Sequence, residues 1–119
     1  MRVLLVDDSE LALMLLERDI RGFLSEDDEI IKIKDSVEAL RYYKDNSVDI
    51  DIVFTDLTMP KMNGIELLEK IKEFNESAKV VIVSAEVQSS IRQKASKLGA
   101  FAFFNKPIHK DDIGKILKG

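Results

Sequence analysis

The chain has 119 residues, of which 45% are hydrophobic and 34% are charged, and its formal net charge at pH 7 is −4. This size fits one domain with one core, and a mildly acidic chain is a poor match for nucleic acid, because phosphate backbones favour a basic surface. The chain contains no cysteine, which excludes disulfide bonds and thiolate metal sites, and no apolar run approaches the length of a membrane span. We therefore expect a single cytoplasmic domain over residues 1–119, without an output domain and without membrane insertion.

Five strand-like segments alternate with helix-like segments, with no linker, low-complexity tract or repeat between them. This alternation predicts an α/β fold with a parallel sheet. The first, third and fourth segments are continuously apolar, as expected for strands that are covered on both faces. The second alternates apolar and charged residues, which suits an edge strand. In chain order, the segments are Val3–Val6, Ile30–Ile33, Ile52–Phe54, Val80–Val83 and Phe101–Phe104.

Helix signals fill the intervals between these strands. Ser9 can cap a first helix, and Asn63 precedes a later one. Gly99 is placed to end the helix before the fifth strand, and the last helix lies near Asp111–Leu117. The apolar residues at helical spacing that predict the buried faces are Ala12, Leu16, Ile20 and Phe23, then Leu67, Leu68, Ile71 and Phe74, then Val87, Ile91, Ala95 and Leu98, and finally Ile113, Ile116 and Leu117.

Polar residues follow the carboxyl ends of four predicted strands. Asp7 and Asp8 follow the first strand and Asp56 the third, whereas Ser84 and Lys106 follow the fourth and the fifth. Ligands of open α/β sheets bind outside these ends, and parallel strands bring all of the ends to one edge. Two charges about 4 Å apart interact by roughly 1 kcal/mol in water and more when they are partly buried, so the clustered acids would repel each other. A hard divalent cation such as Mg²⁺ resolves this repulsion.

Asp56 is the strongest candidate for a nucleophile, because it stands alone at the end of the central strand. A carboxylate can accept a phosphoryl group and form an acyl phosphate, a reaction that mainly requires positioning and charge neutralisation. Asp7 and Asp8 are adjacent and suit the binding of a metal ion and its water molecules. Taken alone, this pair is equally well explained as dipole-favoured acids at the start of a helix. Its combination with Asp56 and Lys106 is what favours a site.

Four motifs in order make the chain resemble the receiver domains of two-component response regulators, including the chemotaxis type. The motifs are Val6–Asp8, then Asp56 with Met59–Pro60 and Met62–Gly64, then Ser84–Ala85, and then Gly99–Ala100 followed by Asn105–Pro107. The resemblance covers essentially the whole chain. It implies a flavodoxin-like receiver fold, in which five parallel strands in the order 2-1-3-4-5 are flanked by five helices.

The resemblance implies that Asp56 accepts a phosphoryl group from a sensor histidine kinase or a phosphotransfer protein. Lys106 is implied to pair with the phosphoryl group, and Ser84, where the family usually has Thr, to turn toward it. Phe103 is implied to follow Ser84 inward as the switch aromatic, at a place where relatives often carry Tyr. The implied function is a phosphorylation-dependent signalling switch that catalyses only its own phosphorylation and dephosphorylation.

The metal site that the resemblance implies is built from oxygen ligands. Asp8, Asp56 and the backbone carbonyl of Thr58 are implied to bind Mg²⁺, or Mn²⁺ in its place. Asp7 is implied to act through a metal-bound water molecule. Thr58 and Glu86 occupy the two variable positions that modulate the lifetime of the acyl phosphate in this family.

Two surfaces are candidates for partner binding. The first helix carries additional apolar residues, which indicate either a docking patch for the phosphodonor or a wide core-facing surface: Leu11, Leu13, Met14 and Leu15. The second surface joins the fourth helix, the fifth strand and the last helix, and Phe101 has the strand parity of Phe103 there. This surface is either an output face, for a downstream protein or for a weak phosphorylation-dependent dimer of an otherwise monomeric chain, or a solvated basic face. Its basic residues are Arg92, Lys94, Lys97, Lys110, Lys115 and Lys118.

An alternative function is that of a metal-dependent phosphatase-like hydrolase that also uses an aspartate nucleophile. Enzymes of the haloacid-dehalogenase type need a second acid two residues after the nucleophile, and here Thr58 occupies that position. They also usually carry a cap domain, for which 119 residues leave no room. A nucleoside triphosphatase is disfavoured, because the chain lacks a glycine-rich phosphate loop that ends in Gly-Lys-Ser/Thr.

Overall fold

The computed structural model describes residues 1–85 and 88–118. Strands and helices alternate through this part of the chain, as the sequence predicts. The strands are β1 (Arg2–Val6), β2 (Glu29–Ile33), β3 (Ile52–Thr55), β4 (Val80–Ser84) and β5 (Ala102–Asn105). The helices are α1 (Glu10–Arg21), α2 (Ser36–Asn46), α3 (Gly64–Phe74), α4 (Ser89–Lys97) and α5 (Lys110–Lys118).

All five strands pair in parallel, in the order β2-β1-β3-β4-β5. The α/β class, the strand order and the five flanking helices are therefore confirmed. β3 is the central strand, and β2 lies at an edge, as its alternating pattern predicts. The register pairs Thr55 at the end of β3 with Val6 at the end of β1 and with Ile82 of β4. This register brings the carboxyl ends of β1 and β3 level with each other.

A hydrophobic cluster covers each face of the sheet. One cluster joins the sheet to α2, α3 and α4 and includes Leu68 and Ile82, and the other joins it to α1 and α5 and includes Ile20, Phe54 and Ile113. Every residue of β3 and β4 is buried. Burial of one large aliphatic side chain contributes about 1.5–3 kcal/mol, so strands that are covered on both faces are apolar throughout.

Side-chain caps fix the starts of the two helices that follow the acidic strand ends. At the start of α1, Ser9 Oγ accepts a hydrogen bond from the backbone N of Ala12 at 3.2 Å. At the start of α3, Asn63 Oδ1 accepts from the backbone N of Glu66 at 2.9 Å, and Glu66 Oε1 accepts from the backbone N of Asn63 at 3.1 Å. This reciprocal pair is a capping box. Both caps agree with the sequence prediction, and each stabilises its helix by about 1 kcal/mol.

The packing of α1 differs from the expected stripe at two positions. Phe23 lies beyond the end of the helix, and its ring packs on α5 so closely that a Cβ at Gly114 would be 2.8 Å from Phe23 Cε1. Leu13 is buried, with 4% of its surface exposed, so it belongs to the core and not to the exposed apolar residues of α1. Phe23 departs from the stripe because the helix ends at Arg21, whereas Leu13 is buried because it packs in the same cluster as Ile113 of α5.

The chain around α4 and β5 also differs slightly from the expectation. α4 begins at Ser89, and Val87 of the predicted stripe lies outside the described residues. Gly99 follows the helix with a φ of 93°, a backbone conformation that suits glycine. β5 begins one residue later than predicted, although the backbone N of Phe101 still donates to Val80 O at 2.8 Å. None of the described helices combines the length and the apolar composition needed to cross a bilayer.

Gly64, at the start of α3, is packed against the backbone that carries Asp56. Its N donates to Leu57 O at 2.7 Å, and a Cβ at this position would overlap Asp56 O and lie 2.9 Å from Leu57 Cα. We predict that Gly64→Ala lowers the free energy of unfolding by about 2 kcal/mol or more, because backbone atoms cannot move aside cheaply. Urea denaturation measures the loss. Gly22→Ala is the control, since its Cβ would meet only Asp19 O at 3.5 Å; equal small losses in both variants would contradict the prediction.

Candidate functional site

The sheet itself fixes the backbone of two acids. The backbone N of Asp56 donates to Val6 O at 2.9 Å, so the ladder between β3 and β1 continues one residue beyond β3. The backbone N of Asp7 donates to Ile33 O at 3.3 Å, which extends the ladder between β1 and β2 in the same way. Asp7 is buried, Asp56 is half-buried and Asp8 is exposed. The three acids therefore run from the interior to the surface along one edge of the sheet.

Lys106 joins two of these acids. Its Nζ lies 2.9 Å from Asp7 Oδ2 and 3.1 Å from Asp56 Oδ1. Its backbone N donates to Ser84 O at 2.8 Å, which ties the residue after β5 to the end of β4. The peptide bond between Lys106 and Pro107 is cis. One lysine thus connects the carboxyl ends of β1, β3, β4 and β5.

The carboxylates of Asp7, Asp8 and Asp56, which we call the acidic group, bring their oxygen atoms close together. Asp7, Asp8 and Asp56 each offer one oxygen, and these atoms all lie within 4.8 Å of one another. Asp7 Oδ1 accepts a hydrogen bond from the backbone N of Ser9 at 2.9 Å, while its Oδ2 contacts Lys106. Three ionised carboxylates and one ammonium group leave two negative charges. That residual charge and the oxygen donors fit a divalent cation.

The environment shifts the pKa values of both members of the central ion pair. Burial and then the negative charge of Asp7 raise the pKa of Asp56 above its ordinary value, although Lys106 opposes the shift. Burial lowers the pKa of Lys106, but the hydrogen bond to Asp7 and the charge of Asp56 outweigh it, and the net shift is upward. Lys106 is therefore held in its charged form beside the carboxylate.

The other predicted site residues lie at varying distances from this group. Ser84 is buried at the end of β4, next to the backbone of Lys106, and Thr58 is exposed in the loop after Asp56. Phe103 is half-buried in β5 and packs against the cluster on the α4 side. Glu86 lies outside the described residues. The structure thus brings together Asp7, Asp8, Asp56 and Lys106, with Ser84 at the same edge of the sheet.

The anchoring of the loop that follows Asp56 is not apparent from the sequence. Lys61, whose φ is 71°, places its Nζ 2.7 Å from Asp35 Oδ2, and Ser36 Oγ donates to Pro60 O at 3.5 Å. Asp35 also caps α2, because its Oδ1 accepts hydrogen bonds from two backbone N–H groups of that helix. An Asp-Ser pair before a helix signals such a cap, but nothing in the sequence pairs Asp35 with Lys61.

An apolar cavity of about 410 Å³ opens beside Asp56, between α1 and the segment that follows Lys106. Its apolar walls include Leu15, Phe54 and Ile108. Beside it, α1 exposes three large apolar side chains that we call the α1 patch: Leu11, Met14 and Leu15, which are 60%, 57% and 42% exposed. The patch is smaller than the sequence suggested, because Leu13 is buried.

Residues 3–118 match the family model described as response regulator receiver domain. The chain belongs to this family. It is 42% identical over 114 residues to the chemotaxis protein CheY of Treponema pallidum, an alignment that covers 94% of this chain and 76% of that protein. It is 38% identical over 113 residues to the CheY of Halobacterium salinarum, with coverage of 94% and 89%.

Solved structures agree with this assignment. A receiver domain protein from Clostridium thermocellum superposes with a TM-score of 0.89 at 27% identity, covering 98% of this chain and 90% of the other. A complex from Borrelia burgdorferi that contains CheX, CheY, beryllofluoride and Mg²⁺ gives a TM-score of 0.83 at 34% identity, with coverage of 99% and 84%. The chain is a receiver domain of the CheY-like response regulators, which are phosphorylation-dependent signalling proteins. The comparisons lend no support to the phosphatase-like alternative.

Asp56→Asn tests the electrostatics of the acidic group, and we predict that it stabilises the fold near pH 7. Since folding raises the pKa of Asp56, the folded state favours the protonated carboxyl, and ionisation costs stability as pH rises through the raised pKa. The neutral amide avoids that cost, which solvent screening limits to about 1 kcal/mol or less. Below the ordinary carboxyl pKa of 3.8 the gain should disappear.

Urea unfolding at pH 7.5 and pH 3 measures this difference. Asp45→Asn serves as the matched control, because it removes the same charge from an exposed position on α2. If Asp56→Asn lowers the free energy of unfolding at pH 7.5, or raises it equally at both pH values, then ionisation of Asp56 does not destabilise the folded state.

Proposed function

We propose that Asp56 accepts a phosphoryl group from a phosphohistidine on a sensor histidine kinase or a phosphotransfer protein. One observation carries this proposal: the Asp56 carboxylate stands at the end of the central strand, 3.1 Å from Lys106 Nζ and among the oxygens of Asp7 and Asp8. A nucleophilic carboxylate, a fixed cation and a set of oxygen donors are the parts that phosphoryl transfer to aspartate requires.

The transfer step is a displacement at phosphorus. An oxygen of Asp56 attacks the phosphorus atom, the new O–P bond forms, and the N–P bond of the donor imidazole breaks. The electron pair of that bond stays on the imidazole nitrogen, which takes up a proton. Lys106 donates charge-assisted hydrogen bonds to the phosphoryl oxygens, where negative charge is concentrated. Its raised pKa keeps the ammonium group charged at neutral pH.

The acidic group fits Mg²⁺, or Mn²⁺, because all of its side-chain donors are oxygen atoms and its three carboxylates together with Lys106 leave a net charge of −2. We assign the direct contacts to Asp8, Asp56 and the backbone carbonyl of Thr58. Asp7 then acts through a water molecule, since its oxygens already contact Lys106 and the backbone N of Ser9. The bound ion supplies charge neutralisation for the phosphoryl group. The Borrelia burgdorferi complex, which contains Mg²⁺, supports this assignment by similarity.

The proposed switch joins the acidic group to the face formed by α4, β5 and α5. Ser84 and Phe103 are its proposed moving parts, and Thr58 and Glu86 are the proposed modulators of acyl-phosphate lifetime. The output is a contact with a downstream protein, and the chain turns over no substrate apart from its own phosphoryl group. The ATP that charges histidine kinases is cytoplasmic, which supports a cytoplasmic location.

Labelling with a radioactive phosphodonor tests the proposed acceptor. We predict that label from acetyl phosphate is incorporated in the presence of Mg²⁺, and that EDTA or Asp56→Asn abolishes it. Lys106→Ala should slow labelling by about 10²-fold, the usual effect of removing one group that stabilises developing charge. Asp45→Asn, which alters an exposed acid elsewhere, should label normally. Full labelling of Asp56→Asn would overturn the assignment.

The α1 patch offers a docking surface for the phosphodonor, because it is exposed, apolar and next to the cavity beside Asp56. We predict that Leu11→Asp and Met14→Asp slow transfer from the cognate phosphohistidine donor by about tenfold or more, since an unpaired charge in an apolar interface costs about 1–2 kcal/mol or more. Labelling by acetyl phosphate should not change. Val48→Asp, at a 97% exposed position beyond α2, is the control. Equal loss with both donors would exclude docking at the patch.

A further inference from the structure

Arg92 contacts residues of β5, so it is not part of a solvated basic face. Its guanidinium group lies over the ring of Phe103, 4.8 Å from the ring centroid. One terminal nitrogen donates to Phe103 O at 3.5 Å, and the other donates to Asn105 Oδ1. Arg92 is half-buried, unlike the exposed Lys94 and Lys97 on the same helix. A single side chain of α4 therefore contacts two alternate residues of β5.

The part of β5 that Arg92 contacts leads directly into the acidic group. Asn105 is the last residue of β5, and the next residue is Lys106, whose Nζ bridges Asp7 and Asp56. β5 is an edge strand that pairs only with β4 in the described sheet. Its outer edge therefore lacks a second strand that could fix the position of Asn105. Arg92 supplies that support from the helix.

Apart from the contacts of Arg92, α4 buries little apolar surface. Among the described residues of this helix, Ala95 is the one buried side chain, and Ile91 is only half-buried. A guanidinium group is attracted to the face of an aromatic ring, and its planar nitrogens can donate to two acceptors in one plane. The contacts of Arg92 therefore add to the limited apolar packing of α4. They bind the helix and the end of β5 into one unit.

We propose that Arg92 is a positioning residue for the acidic group: it ties α4 to the end of β5 and thereby fixes the ammonium group of Lys106 between Asp7 and Asp56. This proposal rests on the proposed function, in which Lys106 contacts the phosphoryl group. A consequence is that a partner that binds α4 and displaces it changes the position of Lys106 through Arg92. The same contact links the phosphoryl chemistry to the surface of α4.

Arg92→Met is the principal test. Methionine keeps an unbranched apolar side chain but removes the charged guanidinium group and its hydrogen bonds. The measurement is the affinity for beryllofluoride, a phosphoryl mimic, with saturating Mg²⁺ in isothermal titration calorimetry. We expect the affinity for beryllofluoride to fall by about three- to tenfold. Lys106 is still present in this variant, so the loss should be smaller than that of a whole hydrogen bond to a charged group. Lys97→Met removes an equal charge from an exposed position on α4 and should bind normally.

Two further measurements separate positioning from a general loss of stability. In NMR spectra of the lysine ε-methylene groups recorded at one pH, the signal of Lys106 should shift in Arg92→Met, while the other lysines keep theirs. Asn105→Ala should reduce affinity in the same direction, and the double variant with Arg92→Met should lose less than the sum of the single losses. Arg92→Lys keeps the positive charge but loses the planar guanidinium group that donates to two acceptors, so it should give an intermediate affinity.

The outcomes distinguish this proposal from the proposed function. If the unaltered chain binds beryllofluoride, and Arg92→Met binds it equally well with an unchanged Lys106 NMR signal, the positioning role is wrong. Additive losses in the double variant would overturn it as well. If the unaltered chain binds no beryllofluoride in the presence of Mg²⁺, the proposed function fails instead. Should Arg92→Met not fold by circular dichroism, Arg92→Lys and Asn105→Ala decide the question by the same criteria.

Discussion

The contact of one ammonium group with two carboxylates is the constraint on which the site depends. Lys106 Nζ reaches both Asp7 and Asp56, which lie at the ends of two neighbouring strands, while its own backbone is held by β4. Carboxylates that meet in a half-buried place repel each other, and the lysine offsets part of that repulsion. Two negative charges remain when Asp8 is included. The fold therefore holds a site that is stable enough to form and still able to attract a divalent cation.

The surroundings of this contact are supported from three separate elements. Gly64 brings the start of α3 against the backbone of Asp56, where there is no room for a side chain. Lys61 ties the intervening loop to the capped start of α2 through Asp35. Arg92 holds the end of β5 from α4. Because each support acts on a segment that leads to a site residue, we expect substitutions there to affect the fold and the acidic group together.

Two helices on the same side of the sheet, α3 and α4, differ in how much apolar surface they bury. α3 buries five residues against the sheet and begins with a capping box, whereas α4 buries Ala95 alone among its described residues. A helix with little apolar packing is more easily displaced than one with much. The chain belongs to a family of phosphorylation-dependent signalling proteins, and a lightly packed α4 that is attached to the end of β5 next to Lys106 suits such a role. Its basic residues remain exposed around this attachment, apart from Arg92.

The sequence by itself determined the order of elements, since continuous apolar runs predict buried parallel strands and Ser9 and Asn63 predict the helix starts. It also predicted that the acids and Lys106 would meet, because parallel strands end at one edge of a sheet. Only the tertiary structure decided which groups touch. Three contacts join residues that no local pattern relates: the burial of Leu13, the ion pair of Lys61 with the residue that caps α2, and the stacking of Arg92 on β5. They depend on how helices and loops pack across the sheet and against one another.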